Sequence, residues 1–232
     1  MEYLKVTEVE HYTDTLFRFR TERPQTFRFT AGEFTMIGMG DDDITRAYSL
    51  TNGPYDEYLE FYSIKVPDGP LTSRLQHVKI GDEIEVGTKP TGTLTLANLE
   101  LGGTLHLLAT GTGIAPFISL LRDPYTYDAF DRIKLIWSVR YPAELLAYNE
   151  FLQEMDIDYT PTVTRDSEWQ GERRRITTQI NTGLDPQTNK VMVCGSMPFN
   201  EDIYNMLTKN GWLEGTRKIA GTFVQEKAFT TK

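Results

Sequence analysis

The stretch Arg46-Ala47-Tyr48-Ser49 brings a permanent cation, a planar aromatic ring and a small hydroxyl group together within four residues. In an extended conformation Arg46 and Tyr48 project from one face and Ala47 and Ser49 from the other, because side chains alternate along a strand. A guanidinium can pair with a phosphate through its planar fork, and a tyrosine ring can lie against another flat ring. This chemistry suits a flavin nucleotide, although four such residues by themselves are more often an ordinary strand with a half-buried tyrosine.

A second stretch that could do chemistry is Gly111-Thr112-Gly113-Ile114-Ala115-Pro116, which follows a continuous apolar run and precedes a helical pattern. Glycines let the backbone approach a pyrophosphate closely, and amides at the start of a helix can donate hydrogen bonds to its oxygens. The stretch differs from the G-x-G-x-x-G fingerprint, so by itself it fits a plain strand-to-helix turn equally well. Its position at the carboxyl end of a first parallel strand favours nucleotide binding.

Three arginines in the second half of the chain indicate which nucleotide is bound. Arg140 and Arg165 follow successive predicted strands, and Arg175 ends the basic run that begins at Arg173. The carboxyl ends of parallel strands converge on one crevice, so the three side chains can meet one ligand. An acidic residue would read the ribose 2′-hydroxyl of NAD, whereas arginine suits a 2′-phosphate. Any one of them could be a solvated surface residue, but together they predict NADP(H).

The elements that must position these groups fall into two kinds. The first half shows short alternating segments separated by turn residues, which is typical of an antiparallel β-barrel. These predicted strands contain Leu4/Val6, Phe17/Phe19, Phe27/Phe29, Phe34/Met36, residues 59–66 and Ile84/Val86, with a short helix at residues 71–75. The second half alternates strands at residues 105–109, 133–139, 159–164, 191–194 and 222–227 with helices at residues 116–122, 143–155, 176–182 and 200–209.

Strands that alternate with helices favour a parallel sheet of the Rossmann-like α/β type. The change of pattern lies between Gly92 and Gly103, and we predict domains at residues 1–98 and 99–232.

Composition limits the function classes. The 232 residues carry a net charge of −9, which argues against a nucleic-acid partner. The single cysteine, Cys194, excludes an intrachain disulfide and a four-thiolate iron–sulfur cluster, and three scattered histidines predict no metal site. Because no apolar run approaches about 20 residues and the N-terminus has no signal-peptide pattern, we expect a cytoplasmic protein without a membrane span.

As a set, these motifs resemble the bacterial-type ferredoxin/flavodoxin–NADP reductases, which depend on FAD. Arg46-Ala47-Tyr48-Ser49 matches the family's R-x-Y-S flavin motif, and residues 109–116 match its NADP pyrophosphate turn. The remaining matches are residues 59–69 and 71–73 on the flavin side, Val193-Cys194-Gly195 on the nicotinamide side, and residues 223–229 at the family's C-terminal ending. The resemblance covers essentially the whole chain, with its elements in family order.

The resemblance implies a set of site residues. For FAD these are Arg46, Ala47, Tyr48, Ser49, Tyr62, Ile64, Lys65, Leu71, Thr72, Thr112, Ala228 and Phe229. For NADP(H) they are Thr110, Gly111, Gly113, Val139, Arg140, Thr164, Arg165, Arg175, Gly195 and Ser196. Ser49, Cys194 and Glu226 are expected to line the hydride-transfer pocket as catalytic residues, although a free cysteine is commonly just a small buried apolar residue, and Glu226 equally fits a surface carboxylate. Ala228 stands where plant-type enzymes carry a terminal tyrosine, with Phe229 next.

The resemblance also implies the reaction. We expect the barrel to hold FAD and the α/β domain to hold NADP(H), with hydride passing from nicotinamide C4 to flavin N5 and electrons then leaving one at a time for ferredoxin or flavodoxin. A monomer is expected. Two alternatives stay open: an NAD(P)H-dependent flavin reductase that releases free reduced flavin, and a flavin-binding interaction module without turnover. The reductase component of an oxygenase is disfavoured because one cysteine cannot ligate the cluster that such components usually add.

Overall fold

The computed structural model describes residues 1–40, 42–180 and 183–227. Within these residues the chain forms a six-stranded antiparallel sheet followed by a five-stranded parallel sheet. The predicted order of an antiparallel barrel and then an α/β unit is therefore confirmed. The predicted division at residue 98 falls at the end of the 3₁₀ turn Leu96–Asn98 and stays a prediction.

The antiparallel sheet closes into a barrel. Its strands are β1 (Glu2–His11), β2 (Leu16–Glu22), β3 (Phe34–Gly38), β4 (Thr45–Ser49), β5 (Tyr58–Ile64) and β6 (Glu83–Val86), with helix α1 at Thr72–Leu75. The strand order is β4-β3-β6-β1-β2-β5, and an antiparallel bridge between Leu50 and Phe61 joins the two ends of that order. This closure leaves neither β4 nor β5 as a fully open edge.

The barrel core is aromatic. Phe17, Phe19 and Phe61 are fully buried, with ring centroids 5.8 Å apart for the first pair and 5.2 Å apart for the second. Phe19 and Phe61 are register partners on β2 and β5. A slip of β5 by one residue would turn Phe61 to the outside, at a cost of roughly 1.5–3 kcal/mol for the exposed ring. The core therefore fixes the register of β5, which leads into the cleft described below.

The parallel sheet has the strand order β11-β10-β7-β8-β9. Its strands are β7 (Thr104–Thr110), β8 (Arg132–Val139), β9 (Asp158–Val163), β10 (Asn189–Gly195) and β11 (Phe223–Lys227). Its helices are α2 (Ala115–Leu121), α3 (Pro124–Ala129), α4 (Asn149–Glu154), α5 (Ile176–Gln179) and α6 (Met197–Lys209), with 3₁₀ turns at Gly111–Ile114 and Pro142–Leu145. Apolar clusters lie on both faces of the sheet, which is why its central strands read as continuous apolar runs.

One of these clusters joins the two halves of the molecule. Trp137 and Phe117 pack on the face of the sheet that carries α2, and the same cluster includes Tyr62, Leu94 and Leu99. The barrel and the parallel sheet therefore share a continuous core.

The predicted strand at Phe27/Phe29 is wrong. Residues 23–33 form turns and irregular chain between β2 and β3. The Phe27 amide donates to the Pro24 carbonyl at 2.9 Å, and the Arg23 guanidinium donates to the Phe27 carbonyl at 3.0 Å. These local bonds occupy backbone groups that a strand would use, and the alternation arises because Phe27 is buried in the barrel core and Phe29 packs against it.

The predicted helix at residues 143–155 is also wrong as a single element. It divides into the 3₁₀ turn Pro142–Leu145 and α4, and the break lies at Tyr148, whose φ is −139° and ψ is −1°. Tyr148 is 1% exposed and donates a hydrogen bond to Glu60 of the barrel at 3.2 Å. A tertiary contact has overridden the helical pattern.

Helices α1 and α2 lie within one residue of their predicted limits, and α5 and α6 differ by more. Helix α6 begins three residues earlier than predicted, at Met197, and α5 ends at Gln179, just before residues 181–182, which lie outside the described part of the chain. Helix α3 was not predicted, although its signal is present: Pro124 begins it, and the Asp123 carboxylate accepts from the Tyr125 amide at 3.1 Å. None of the described helices is long and apolar enough to cross a bilayer.

The turn before β7 gives a stability prediction with a matched control. Gly102 and Gly103 both have positive φ, 89° and 70°, but only a Cβ on Gly103 would overlap the Thr188 carbonyl. We expect Gly102→Ala to lower the free energy of unfolding by about 1–2 kcal/mol and Gly103→Ala to lower it by about 1–3 kcal/mol more. Urea unfolding of the two variants measures the difference, and equal losses would contradict it.

Candidate active site

A cleft opens where the barrel meets the carboxyl ends of the parallel strands. Its barrel side is lined by Phe34, Arg46, Ala47, Tyr48, Ser49, Tyr62, Ser63, Ile64, Val66, Gly69, Pro70, Leu71 and Thr72. Its other side is lined by Thr112, Gly113, Ala115, Cys194 and Glu226. Residues that are far apart in the sequence therefore form one concave surface, and both halves of the molecule contribute to it.

Strand β4 provides the floor on the barrel side. Every residue from Thr45 to Ser49 is partly exposed, as expected for a strand with one face toward a cleft. The Tyr48 hydroxyl lies 3.3 Å from the Ser63 hydroxyl, and its ring meets Phe61 edge-on at 6.5 Å. Burial raises the pKa of Tyr48, so its phenol stays neutral and can donate a hydrogen bond. These contacts hold the ring in one orientation beside the cleft.

Arg46 is the cation of this wall. Its guanidinium donates to the Thr45 carbonyl at 2.7 Å and forms no ion pair with a described residue. Elsewhere in the barrel Arg18, Arg20 and Arg74 are paired with carboxylates at 2.8 Å or less. Arg46 therefore has donor capacity to offer an anionic ligand.

The loop after β5 and the start of α1 form the next part of the wall. The Thr72 hydroxyl donates to the Val66 carbonyl at 3.2 Å, and the Ser73 amide donates to the Gly69 carbonyl at 3.1 Å. These bonds fold residues 66–73 into a compact turn. Leu71 is buried in the barrel core, so the turn is anchored from below.

The glycine turn lies opposite. The Trp137 indole of β8 donates to the Gly111 carbonyl at 2.9 Å, which ties the turn to the sheet. A Cβ on Gly113 would overlap the Cys194 carbonyl, so only glycine lets the turn approach the end of β10 this closely. The Thr110 hydroxyl accepts from the Ser196 amide at 3.1 Å, which joins the ends of β7 and β10.

Cys194 and Glu226 are register partners on the neighbouring strands β10 and β11. Burial raises the pKa of the Cys194 thiol well above its usual value, and the nearby Glu226 carboxylate adds to the effect. The sulfur is therefore a neutral thiol in the lining of the cleft, rather than a thiolate nucleophile.

Glu226 lies at the junction of the two halves. Burial raises its pKa to about 7, and a hydrogen bond from the Thr93 backbone opposes that shift. Glu226 also borders a second, open groove with Thr93, Tyr204 and Arg217. Its carboxyl group can therefore hold a proton at neutral pH and exchange it on the solvent side.

The three predicted arginines lie outside this cleft. The Arg165 amide donates to the Arg140 carbonyl at 2.9 Å, so these two residues are neighbours at the ends of β8 and β9.

Arg175 precedes α5, which is held to β9 by a hydrogen bond from Gln179 to Thr162 at 3.2 Å. All three are exposed, and none is in an ion pair with a residue that the structure describes, whereas Arg174 is paired with Glu172 at 2.6 Å.

The other predicted residues divide into three groups. Val139 is buried, and its carbonyl accepts from the Thr164 hydroxyl at 3.1 Å, so both lie at the strand ends beside Arg140. Lys65 lies outside the cleft lining, with its ammonium donating to the Thr13 carbonyl at 3.0 Å. Ala228 and Phe229 lie outside the described residues.

Several residues that line the cleft were not predicted as site residues: Phe34, Ser63, Val66, Gly69, Pro70 and Ala115. Most lie inside the quoted motifs, where the spacing alone does not say which face of the chain they occupy. Phe34 is different, since it reaches the cleft as the register partner of Ser49. Only the pairing of β3 with β4 could have identified it.

Comparison with known proteins agrees with this architecture. A family model described as an oxidoreductase FAD-binding domain matches residues 3–95, and one described as an oxidoreductase NAD-binding domain matches residues 107–204. The chain is 45% identical to a flavodoxin/ferredoxin–NADP reductase of Rhodobacter capsulatus, over 97% of this chain and 92% of that protein. It is 41% identical to a ferredoxin–NADP reductase of Azotobacter vinelandii, over 98% and 97% of the two chains.

A solved structure has the same fold as this chain. A ferredoxin NADP+ reductase from Neisseria gonorrhoeae, whose crystal structure has FAD and NADP bound, shares the fold with a TM-score of 0.91 and 30% identity, over 98% of each chain. Since the sequence matches run along nearly the whole chain and the fold agrees over both sheets, this chain belongs to the flavodoxin/ferredoxin–NADP reductase family.

Proposed function

We propose that this protein transfers electrons between NADPH and a one-electron carrier protein, ferredoxin or flavodoxin, by way of a bound FAD. The observation that carries the proposal is the single cleft lined both by the barrel residues Arg46, Tyr48 and Ser49 and by Cys194 and Glu226 of the parallel sheet. A flavin held by the first group would face a nicotinamide held by the second. That arrangement is what hydride exchange between the two rings requires.

The residues present fit FAD. Arg46 has no carboxylate partner among the described residues and can pair with a phosphate, while Tyr48 offers a flat ring beside it. The turn at residues 66–73 is shaped by its own hydrogen bonds and lines the same wall. When bound, FAD supplies the capacity to exchange a hydride with nicotinamide and single electrons with a carrier protein. The protein supplies binding, orientation and control of protons.

Ser49, Cys194 and Glu226 are the proposed catalytic residues. The Ser49 hydroxyl can hydrogen-bond a heteroatom of the flavin ring, and the neutral Cys194 thiol gives the nicotinamide an apolar surface to pack on. Glu226, with a pKa of about 7, can give or take the proton that accompanies flavin reduction and exchange it through the open groove. In this proposal Ser49 orients the flavin, Cys194 packs against the nicotinamide and Glu226 transfers the proton.

The proposed NADP(H) site extends from the cleft along the strand ends. Thr110, Gly111, Gly113, Gly195 and Ser196 form the turn region nearest the cleft. Arg140, Arg165 and Arg175 lie further out, exposed and without ion-pair partners among the described residues. We propose that they bind the 2′-phosphate, since arginine is suited to a phosphate by charge and by its planar donor fork.

Ferredoxin or flavodoxin is proposed as the carrier protein because of the family, and a small part of the surface must bind it. Ferredoxins and flavodoxins are typically acidic, and a chain with a net charge of −9 repels an acidic partner at long range. Docking therefore depends on a restricted basic surface near the cleft. We propose a cytoplasmic location, as the sequence leads us to expect.

The first prediction from the proposed function concerns the flavin. We expect the purified protein to contain about one FAD per chain and Arg46→Gln to bind FAD 10- to 100-fold more weakly, because a charged hydrogen bond is worth roughly 1.5–3 kcal/mol. Fluorescence titration of the flavin-free protein measures the affinity. Arg132→Gln, whose arginine pairs with Asp158 at 3.2 Å, is the control. A colourless protein that turns over only with added free flavin would instead indicate a flavin reductase.

The second prediction concerns cofactor choice. Arg165→Ala and Arg175→Ala should each raise the dissociation constant for NADPH about 10- to 100-fold and leave that for NADH nearly unchanged, since only NADPH carries the 2′-phosphate. Arg174→Ala is the matched control, because Arg174 already pairs with Glu172. Titration of each variant with NADPH and with NADH gives the dissociation constants to be compared. Equal losses for NADPH and NADH would show that these arginines do not read the 2′-phosphate.

The third prediction follows from the pKa of Glu226. A carboxyl group whose pKa is about 7 when folded and 4.5 when unfolded binds its proton more tightly in the folded protein. Its contribution to the free energy of unfolding is fully present below pH 4.5 and is lost as the pH rises through 7. The free energy of unfolding of the flavin-free wild type should therefore fall between pH 4.5 and pH 8, and that of Glu226→Gln should not. We expect the difference between the two to change by up to about 3 kcal/mol over this range, in favour of Glu226→Gln.

Urea unfolding across that pH range tests the third prediction. Glu201→Gln removes an exposed carboxylate from α6 and is the control. If the stability of Glu226→Gln runs parallel to that of the wild type at every pH, Glu226 does not titrate near 7.

A further inference from the structure

A second buried carboxylate, outside the cleft, lies where the barrel meets the parallel sheet. Glu60 of β5 is 0% exposed, although glutamate is almost never fully buried without partners. Burial acts to raise its pKa, but Arg122 and Arg18 lower the pKa below its usual value, so Glu60 is charged at neutral pH. A buried charge of this kind is costly unless its surroundings are built to hold it.

The partners of Glu60 come from both halves of the molecule. On the barrel side its Oε2 accepts from Arg20 at 2.7 Å and lies 3.6 Å from Arg18. On the other side its Oε1 accepts from Arg122 at 3.0 Å, directly after α2, and from Tyr148 at 3.2 Å. Oε1 also accepts from the barrel residue Thr51 at 2.8 Å, so this oxygen contacts both halves, and the carboxylate bridges them.

The backbone around Glu60 is bonded across the same boundary. The Ser119 hydroxyl of α2 donates to the Asn52 carbonyl at 2.8 Å, and Arg122 donates to the Thr51 carbonyl at 3.1 Å. Asn52 in turn accepts from the Glu60 amide at 2.9 Å. The segment after β4 and the end of α2 are therefore fixed to each other at several points around one charge.

The elements that meet at Glu60 also lead into the cleft. Strand β5 runs from Glu60 to Tyr62 and Ser63, which line the barrel wall about 7–10 Å further along. Helix α2 starts at Ala115, on the opposite wall, and ends beside Arg122 about 10 Å away. A change in the contact at Glu60 would therefore shift one wall of the cleft against the other.

We propose that Glu60 is a positioning residue, whose charge, shared between Arg20 of the barrel and Arg122 and Tyr148 of the α/β half, sets the distance and angle between the flavin and nicotinamide sites. The inference rests on the proposed function, since it assigns Glu60 a part in hydride transfer. Its charge is required because an uncharged side chain of the same shape leaves Arg122 without its counter-charge, while Arg20 still pairs with Glu8, and the two halves then lose their common anchor.

The test compares Glu60→Gln with Glu8→Gln. Glu8 pairs with the same Arg18 and Arg20, at 2.6 and 2.7 Å, but forms no ion pair with a described residue of the α/β half, so Glu8→Gln removes a carboxylate without touching the bridge. In the FAD-loaded enzyme, Glu60→Gln should slow flavin reduction by NADPH at least tenfold while the NADPH dissociation constant changes less than about threefold. The kinetic isotope effect with NADPH deuterated at the transferred hydrogen should become more temperature-dependent, because the donor–acceptor distance is less well fixed. Glu8→Gln should leave all three quantities unchanged.

A double-mutant cycle tests whether the bridge itself is responsible. Arg122→Met removes the partner on the α/β side and keeps most of the side-chain stem. If Glu60 acts through Arg122, the slowing in the double variant should be at least threefold smaller than the product of the two single effects. Should Glu60→Gln fail to fold, Arg122→Met and Tyr148→Phe carry the same test, since each removes one cross-boundary bond and leaves Glu60 with Arg18 and Arg20.

A measurement without cofactors separates this inference from the proposed function. In the flavin-free protein, Glu60→Gln and Arg122→Met should speed hydrogen exchange of the amides of α2 and β5 at least tenfold, and Glu8→Gln should not. If the wild type does not reduce its flavin with NADPH, the proposed function fails, whereas the exchange data still decide whether Glu60 couples the two halves. The inference is overturned if Glu8→Gln slows hydride transfer as much as Glu60→Gln, if the loss lies wholly in NADPH affinity, or if exchange in α2 is unchanged.

Discussion

The cleft exists because two separately built sheets are held against each other. The barrel and the parallel sheet share an apolar cluster that runs from Trp137 and Phe117 to Leu94 and Tyr62, and beside it lies the charged contact at Glu60. The apolar cluster supplies non-directional attraction, while hydrogen bonds and ion pairs with fixed geometry select one orientation. Hydride exchange requires the reacting atoms to lie about 3–3.5 Å apart and in alignment, so the directional part of this contact matters for function as well as for stability.

Two buried glutamates show how surroundings decide the role of one side-chain type. Glu60 is surrounded by arginines that lower its pKa, so it is a permanent charge suited to holding structure. Glu226 forms no ion pair with a described residue, and burial raises its pKa to about 7, so it is suited to exchanging a proton. Nothing in the local sequence separates the two cases. The difference comes from which residues the fold brings within reach of each carboxylate.

The arginines divide in a similar way. Arg18, Arg20, Arg122 and Arg174 are held by carboxylates, while Arg46, Arg140, Arg165 and Arg175 have no ion-pair partner among the described residues. The second group lies where the proposed phosphates would bind, at β4, at the ends of β8 and β9 and at the start of α5. In a chain with a net charge of −9, positive potential at these places depends on keeping those arginines unpaired.

The sequence by itself determined the two kinds of sheet, the motifs at the cleft and the cofactor classes, because alternating and continuous apolar patterns and glycine turns are local features. It did not determine the break at Tyr148, where a bond to Glu60 of the barrel outweighs the local helical preference. It also did not determine the irregular chain at Phe27, where bonds with the nearby Pro24 and Arg23 occupy the backbone groups that a strand would use. Phe34 reaches the cleft only through the pairing of β3 with β4, and Glu60 becomes a bridge only when α2 is packed on β5. Periodicity states which face a residue occupies within its own element, and only the packing of elements decides what that face meets.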